Sequence, residues 1–288
     1  MRREIVQKAS YIRFIIRCIH SISGCVFTLF LCEHLLTNIL AASFLAKSQG
    51  FIALVNMFHK IPGLKVIEIV GLALPLGIHT LIGVGYLLRS KENFFASDGR
   101  KPSLRYGRNL AYTLQRITAW FLLAGLAFHV IQFRFILYPI HVNIQGKTFY
   151  AVAFEASRYS AVVQGTTGFF TMNVPFAEGG PQITEHFLQE KDRALFASRK
   201  PYIFTPEVGK AFLYAVRNAL GSLWIAIFYT LFVMAAVFHG FNGIWTVVAR
   251  WGIIVTSRYL RLCQIVCYIG MFVVMAMGVS VIWNMYLL

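Results

Sequence analysis

Five long apolar stretches are the feature of this sequence that most restricts its fold. They cover residues 15–44, 63–88, 113–138, 212–248 and 262–288. Each is long enough to cross about 30 Å of hydrocarbon as a helix, and a backbone in hydrocarbon must satisfy its own hydrogen bonds. Charged residues make up only 13% of the chain, against roughly 25% in an average globular protein. We therefore predict an all-α integral membrane protein, a bundle of five transmembrane helices.

The formal net charge of +16 reflects many basic residues that flank the apolar stretches. Lys and Arg at such positions anchor helices and set their orientation, so we expect a lipid membrane as the partner and no nucleic acid. Basic residues are concentrated in the N-terminal tail, the second loop and the fourth loop. By the positive-inside rule these segments and the N-terminus lie in the cytoplasm, and the C-terminus lies outside.

The third loop, residues 139–210, is much longer than the others and is predicted to be an external insertion. Between Thr148 and Phe176 it is rich in aromatic and β-branched residues punctuated by glycines, a composition that allows a short β-hairpin. Its basic residues do not change the predicted orientation, because long loops translocate largely regardless of their charge. We assign no chemistry to this loop.

The five cysteines form no C-x-x-C motif; they are Cys18, Cys25, Cys32, Cys263 and Cys267. Neither an iron–sulfur site nor covalent haem attachment is therefore expected in this chain. We interpret these cysteines as small packing residues of the membrane helices.

Four histidines lie inside four different apolar stretches: His34, His79, His129 and His239. A histidine in hydrocarbon is costly and usually faces the bundle interior, which makes each a candidate for function. Because successive helices run in opposite directions, His34 and His129 fall in the outer half of the membrane and His79 and His239 in the inner half. Two neutral imidazoles close both axial positions of a haem iron, which suits electron transfer. The pattern predicts two stacked haems b, the outer iron held by His34 and His129 and the inner iron by His79 and His239.

His20 precedes His34 by 14 residues and lies within about 40° of the same helix face. Its predicted position near the cytoplasmic membrane surface is too shallow for an iron-binding pair with His79. A contact with a haem propionate or a quinone is one interpretation, and a surface histidine is the other. Three glycines lie four residues from a predicted ligand, either to make room for a macrocycle or as ordinary small residues of helix contacts; they are Gly83, Gly125 and Gly243.

Three motifs surround these histidines: Arg17-x-x-His20-Ser21-x-x-Gly24, Leu114-Gln115-Arg116-x-Thr118 and His239-x-x-Asn242-Gly243. Together with the four histidines they resemble the cytochrome b subunit of succinate dehydrogenase/fumarate reductase, of the type with five helices and two haems b. The resemblance covers residues 15–138 and 212–285. The long third loop is a departure that the family does not explain.

The resemblance implies a membrane anchor in a bacterial inner (cytoplasmic) membrane. A flavoprotein subunit and an iron–sulfur subunit would bind on its cytoplasmic side, and electrons would pass through the inner and outer haems to menaquinone. The chain itself would be a non-catalytic electron-transfer and quinone-binding subunit, since it carries neither flavin nor cluster ligands. Succinate oxidation and fumarate reduction use the same parts, so the direction of turnover stays open.

Quinone chemistry needs a group that exchanges protons, and carboxylates are rare in the predicted helices. Glu68 precedes His79 by 11 residues, about three helical turns, and is the candidate for proton exchange beside the outer haem. The alternative is a helix-end carboxylate that reaches Lys65. The remaining candidates would contact haem propionates or quinone near the cytoplasmic ends of the helices; they are Arg17, His20, Ser21, Gln115, Arg116 and Arg250.

Two alternatives remain open from the residues. A b-type cytochrome subunit of another membrane dehydrogenase, such as a hydrogenase or a formate dehydrogenase, would share the histidine pairs but not the Arg-x-x-His-Ser and Leu-Gln-Arg-x-Thr patterns. A proton-coupled transporter would use the histidines as proton relays, and it would show no visible absorbance. Transporters commonly carry internal repeats, and the sequence contains no convincing repeat.

Overall fold

The structure is a computed structural model that describes residues 2–89, 107–174, 182–196 and 200–288. Within this part of the chain, five helices are long and apolar enough to cross a membrane. They are Ser10–Ile39, Leu64–Arg89, Asn109–Ile136, Leu223–Arg250 and Ser257–Leu287. The predicted number of spans is confirmed, and the chain has the architecture of a mainly helical, multi-pass membrane protein.

The helices follow one another in a simple order along the chain. Their bounds are α1 Arg2–Ile39, α2 Gln49–Phe58, α3 Leu64–Glu68, α4 Leu74–Arg89, α5 Gly107–Val130, α6 Tyr159–Val163, α7 Glu190–Arg193, α8 Val208–Ala219, α9 Leu223–Arg250 and α10 Ser257–Leu287. Two π-helical turns extend the membrane helices, Ile69–Ala73 between α3 and α4 and Ile131–Ile136 after α5. Such turns are rare and occur frequently at functional sites.

The chain divides into two compact units. Unit 1 comprises Met1–His34, Gly63–Gly125 and Phe232–Ala276, and unit 2 comprises Leu35–Pro62, Leu126–Leu231 and Met277–Leu288. Three of the predicted haem ligands, His34, His79 and His239, therefore belong to unit 1, and His129 belongs to unit 2.

Unit 2 contains a four-stranded antiparallel sheet with the order β1-β2-β4-β3. The strands are β1 Ile140–Ile144, β2 Lys147–Ala153, β3 Phe170–Met172 and β4 Tyr202–Thr205. Gln145 and Gly146 join β1 to β2, and both have positive φ, as a type I′ hairpin turn requires. The loop contains a hairpin, but its turn at Gln145 and Gly146 precedes the stretch Thr148–Phe176 in which the composition allowed one. Strands β3 and β4 were not predicted.

Both faces of this sheet are covered, because side chains alternate along each strand. On β4, Tyr202 and Phe204 belong to one buried cluster and Ile203 to the other. The second cluster also includes Tyr214 of α8, and α8 packs against α2, β2 and β4. Residues 139–210, predicted as a loop, thus contain a folded sheet with two apolar cores.

The apolar stretch predicted as one helix over 212–248 is divided in the structure. Helix α8 ends at Ala219 and α9 begins at Leu223. Helix α8 is amphipathic and buries one face against the sheet, whereas α9 is a long, mainly apolar membrane helix, and Gly221 and Ser222 lie in the turn between them. A Cβ at Gly221, in the junction, would collide with the guanidinium of Arg158. The first helix also differs from its predicted bounds of 15–44, since α1 begins at Arg2 and ends at Ile39.

Arg217 of α8 is buried in unit 2 and is only 1% exposed. Its Nη1 donates to the carbonyls of Val162 at 3.0 Å and Gln164 at 2.7 Å, and its Nη2 donates to Ser48 Oγ at 3.1 Å. Ser48 in turn donates to the carbonyl of Ala41 at 2.6 Å. Burial lowers the pKa of Arg217 to about 10, so the side chain stays charged at neutral pH. It connects three separate segments of unit 2.

Candidate functional site

Three histidines of unit 1 meet at one place, and we call them the histidine cluster: His20 of α1, His79 of α4 and His239 of α9. The rings of His20 and His79 are stacked, with centroids 4.1 Å apart and planes 8° from parallel. The rings of His79 and His239 have centroids 6.3 Å apart and planes at 87° to each other. The predicted inner pair is therefore brought together, with a third imidazole beside it.

Two glycines allow the first two rings to approach. Gly24 follows His20 by four residues, and Gly83 follows His79 by four, so each glycine lies on the face of its own helix that carries the histidine. A Cβ at Gly24 would lie 2.7 Å from Cε1 of His79, and a Cβ at Gly83 would lie 3.3 Å from Cε1 of His20. The two His-x-x-x-Gly segments thus pack reciprocally.

The tautomer of His79 is fixed by the backbone of α1. Its Nδ1 lies 3.0 Å from the carbonyl oxygen of His20, and Ser23 Oγ donates to the same oxygen at 3.0 Å. Because a carbonyl only accepts, Nδ1 of His79 carries the hydrogen. The lone pair of a neutral His79 therefore resides on Nε2.

The tautomer of His239 is set by Thr118 of α5. Thr118 Oγ1 lies 3.3 Å from Nδ1 of His239. The same hydroxyl lies 2.8 Å from the carbonyl of Leu114 and 3.1 Å from that of Gln115. Its single hydrogen is donated to these carbonyls, so its oxygen accepts the Nδ1 hydrogen of His239. In His239 as well, the lone pair resides on Nε2.

A polar network links α5 to α9 beside this contact. Gln115 Nε2 donates to the carbonyl of His239 at 3.0 Å, and Gln115 Oε1 accepts from Asn242 Nδ2 at 2.6 Å. Trp245 Nε1 donates to Asn242 Oδ1 at 2.9 Å. Gln115 was predicted to contact a propionate or a quinone. Its amide instead holds the backbone of the His239 turn, and a propionate contact stays a prediction.

The pair His79 and His239 has the donor chemistry that a bis-histidine haem needs. Two imidazoles on opposite sides of one metal ion have ring centres roughly 6 Å apart, given metal–nitrogen bonds of about 2 Å. The observed separation is 6.3 Å, and hydrogen bonds at both Nδ1 atoms leave Nε2 for the metal. No three His, Cys, Asp or Glu side chains converge as a metal site among the residues described, but a haem iron takes only two protein ligands. The residues present fit the group.

One prediction about the cluster is wrong. His20 was placed too close to the membrane surface to lie beside His79, and the structure stacks the two rings. The predicted depths of His20 and His79 in the membrane were counted from Arg17 and Arg89, as if both arginines lay at the cytoplasmic membrane surface. Helix α1 begins 15 residues before Arg17, at Arg2, so Arg17 does not mark the start of the helix.

The remaining residues predicted to contact a propionate or a quinone all belong to unit 1, and they differ in how far they are buried. Arg17 and Arg250 are exposed, and Ser21 is buried. Arg116 is half-buried, with its guanidinium carbon 4.9 Å from the ring centre of Tyr112. Glu68 is half-buried at the end of α3, directly before the π-helical turn. Their predicted roles at a propionate or quinone stay predictions.

The predicted outer ligands lie in different units. In unit 1, the ring of His34 lies 5.4 Å from that of Phe30. In unit 2, His129 contacts Phe133 at 5.2 Å and Tyr229 at 5.8 Å between ring centroids. Pairing of His34 with His129 on one iron stays a prediction.

The sequence reasoning did not assign Thr118, Asn242 or Trp245 to the site. Thr118 lies in the Leu-Gln-Arg-x-Thr motif, three residues after Gln115, a spacing that places both side chains on one helix face. Asn242 follows His239 by three residues in the same way. The sequence spacing could have shown that these side chains share a helix face with Gln115 or His239. Only the contact between α5 and α9 shows that they form hydrogen bonds there.

Comparison of the chain with protein-family models, curated proteins and solved structures found no match.

Proposed function

We propose that this chain is the dihaem cytochrome b membrane anchor of a succinate:quinone oxidoreductase. It would transfer electrons between an iron–sulfur subunit and menaquinone. The observation that supports this proposal most directly is the His79–His239 pair, with ring centroids 6.3 Å apart and both Nδ1 atoms hydrogen-bonded. The apolar helices that carry or contact this pair provide the low-dielectric setting in which a haem b functions.

In this proposal His79 and His239 hold the inner haem iron through Nε2, and His34 and His129 hold the outer one. A haem b held by these residues would supply one-electron transfer chemistry. The His20 carbonyl and the Thr118 hydroxyl orient the two inner ligands. Arg17, Ser21, Arg116 and Arg250 are the proposed propionate or quinone contacts.

Proton exchange with the quinone is assigned to Glu68. Glu68 is half-buried at the end of α3, beside a π-helical turn. A carboxylate in such a setting can exchange protons with a quinone as its electrons arrive or leave. The flavoprotein and iron–sulfur subunits are the proposed partners at the cytoplasmic face of a bacterial inner membrane.

A pyridine haemochrome assay on the purified protein tests the haem assignment. We expect about two haems b per chain, and about one after His79→Ala or His239→Ala substitution. The matched control is His59→Ala, because His59 lies outside the membrane spans and its Nδ1 contacts its own helix at the Val55 carbonyl. A colourless, folded wild-type protein would overturn the proposal and favour a proton-coupled transporter.

Electron donors distinguish the enzyme classes. In native membranes, succinate should reduce the haems of this chain, as followed by the absorbance of reduced haem b. Reduction by hydrogen or formate, with no response to succinate, would instead assign the chain to a hydrogenase or a formate dehydrogenase.

A further inference from the structure

We infer that Thr118 is a positioning residue for the inner haem proposed above, because its hydroxyl holds His239 in the tautomer and ring orientation that bind iron. Thr118 occupies the fourth turn of α5 and faces α9 in unit 1. It contacts neither the iron nor a substrate in this role, and it acts through His239.

The contact forms a short relay of hydrogen bonds. His239 Nδ1 donates to Thr118 Oγ1 at 3.3 Å, and Thr118 donates onward to the carbonyl of Leu114 at 2.8 Å or of Gln115 at 3.1 Å. Donation of its own hydrogen makes the hydroxyl oxygen a better acceptor, because linked hydrogen bonds polarise one another. A ligand that donates from Nδ1 is in turn a stronger base at Nε2.

Helix α5 holds His239 at two points from neighbouring positions on one face. Gln115 Nε2 donates to the His239 carbonyl at 3.0 Å and so fixes the backbone. Thr118, three residues later, fixes the ring. A Cβ at Gly243, one turn after His239, would lie 4.0 Å from Gln115 Nε2, so the two helices are close along the whole contact.

The two inner ligands are held differently, and this difference singles out Thr118. His79 donates to a backbone carbonyl, that of His20, which no side-chain substitution removes. The Nδ1 of His239 has a side-chain acceptor, the Thr118 hydroxyl, and its ring also makes a hydrogen-bonding contact with the backbone of Gln115. A substitution at Thr118 can therefore change one ligand of the inner haem while the other keeps its hydrogen bond.

A purely structural role for the hydroxyl is the competing explanation. Threonine in a membrane helix commonly donates to the carbonyl four residues earlier, and Thr118 makes that bond to Leu114. Such a bond would exist without His239. The two explanations differ in their effect on the haem, so the haem potential and its spectrum decide between them.

Thr118→Val removes the hydroxyl and keeps the shape. The control is Thr113→Val on the same helix, since Thr113 is buried and its Oγ1 has no hydrogen-bond partner among the described residues. Thr118→Ser restores the hydroxyl. The midpoint potential of each haem is measured by optical redox titration, and the ferric EPR spectrum reports the orientation of the axial imidazoles.

We expect Thr118→Val to raise the midpoint potential of one haem and to shift its EPR signal. The reason is that an imidazole with no Nδ1 acceptor is a weaker donor and stabilises ferric iron less. Substitution of a residue that hydrogen-bonds a metal ligand typically changes metal affinity or activity by roughly 10- to 100-fold. A tenfold loss of the preference for ferric iron corresponds to a rise of about 59 mV in a one-electron midpoint potential. Thr118→Ser and Thr113→Val should match wild type.

The inference would be overturned if Thr118→Val left the midpoint potentials and the EPR spectrum unchanged, or if Thr113→Val shifted them equally. In either case, two haems bound per chain would leave the proposed function intact. If Thr118→Val loses a haem altogether, the Thr118→Ser variant distinguishes the two explanations. Retention of that haem in Thr118→Ser would support a role for the hydroxyl, and its loss in both variants would contradict that role. A wild-type protein without haem is a failure of the proposed function itself.

Discussion

The imidazoles of His20 and His79 stack 4.1 Å apart and 8° from parallel, although 59 residues separate them in the chain. Each ring packs against the glycine that follows the other histidine by four residues. The chain direction of α1 is therefore opposite to that of α4 where they meet. His20 contributes its carbonyl to the tautomer of His79 and its ring to the packing, and these two contributions can be separated by substitution.

Replacement of Gly24 by alanine should weaken the inner site. A Cβ there would lie 2.7 Å from Cε1 of His79, so the ring must move from the position in which its Nδ1 reaches the His20 carbonyl. We expect Gly24→Ala to lower haem affinity at one site by about 10- to 100-fold, measured as haem bound per chain during titration with haem.

The matched controls for Gly24→Ala lie on α4. Gly83→Ala should have a smaller effect, because its Cβ would lie 3.3 Å from a ring atom of His20, and Gly85→Ala should have none, since no described atom lies within 4 Å of its Cβ. Full haem occupancy in Gly24→Ala would show that the His79 ring does not occupy this position when haem is bound.

His20→Ala should keep both haems, in contrast to His79→Ala. The His79 Nδ1 hydrogen is accepted by the backbone carbonyl of residue 20, which alanine retains, whereas His79 itself is the proposed ligand. We expect about two haems b per chain for His20→Ala and about one for His79→Ala in the pyridine haemochrome assay. The reverse result would make His20 the ligand and His79 its stacking partner.

Arg217→Met should destabilise unit 2. Methionine fills most of the space but leaves the carbonyls of Val162 and Gln164 and the hydroxyl of Ser48 without their donor, at a net cost of about 2 kcal/mol. The thermal midpoint of the purified protein in detergent should fall, while Arg193→Met, at an exposed arginine of α7, should leave it unchanged.

The loss in Arg217→Met should not depend on pH between 6 and 9. Burial lowers the pKa of Arg217 to about 10, so the folded chain carries the charge throughout this range. For a base with a lowered pKa, the cost of burying the charge is fully present below the folded pKa and is relieved as pH rises above it toward the higher pKa of the unfolded chain. A difference in thermal midpoint that varied across the neutral range would indicate that another group titrates with the fold.

The membrane helices could be predicted from the sequence because one local property, a long apolar run, determines them. The division between α8 and α9 was missed although Asn218, Gly221 and Ser222 interrupt the apolar run there, because one short polar interruption does not by itself end a membrane helix. Strands β3 and β4 have three and four residues, too few to show a period of two. Their pairing depends on residues far apart in the chain, which composition does not reveal.

Within the candidate site, residue type was predictable and contact was not. His79 and His239 could be recognised as buried polar groups in apolar helices, and the structure brings them together. The depth of His20 was predicted wrongly because a helix that begins at Arg2 gives no fixed surface from which to measure. Thr118 appeared in the sequence only as part of a motif. Its proposed positioning role follows from its contact with His239, which lies 121 residues later in the chain.

The pairing of the four ligands can be established by double substitutions. If His34 and His129 share one iron, His34→Ala, His129→Ala and the double variant should each lose the same single haem, because one missing ligand already opens the site. His34→Ala combined with His79→Ala should lose both haems, since the two residues serve different irons. His141→Ala is the control, as His141 is exposed on β1 and packs against Tyr150. Haem content and the split of the reduced absorbance band measure each variant, and loss of both haems in the His34–His129 double variant, with one retained in each single variant, would contradict the proposed pairs.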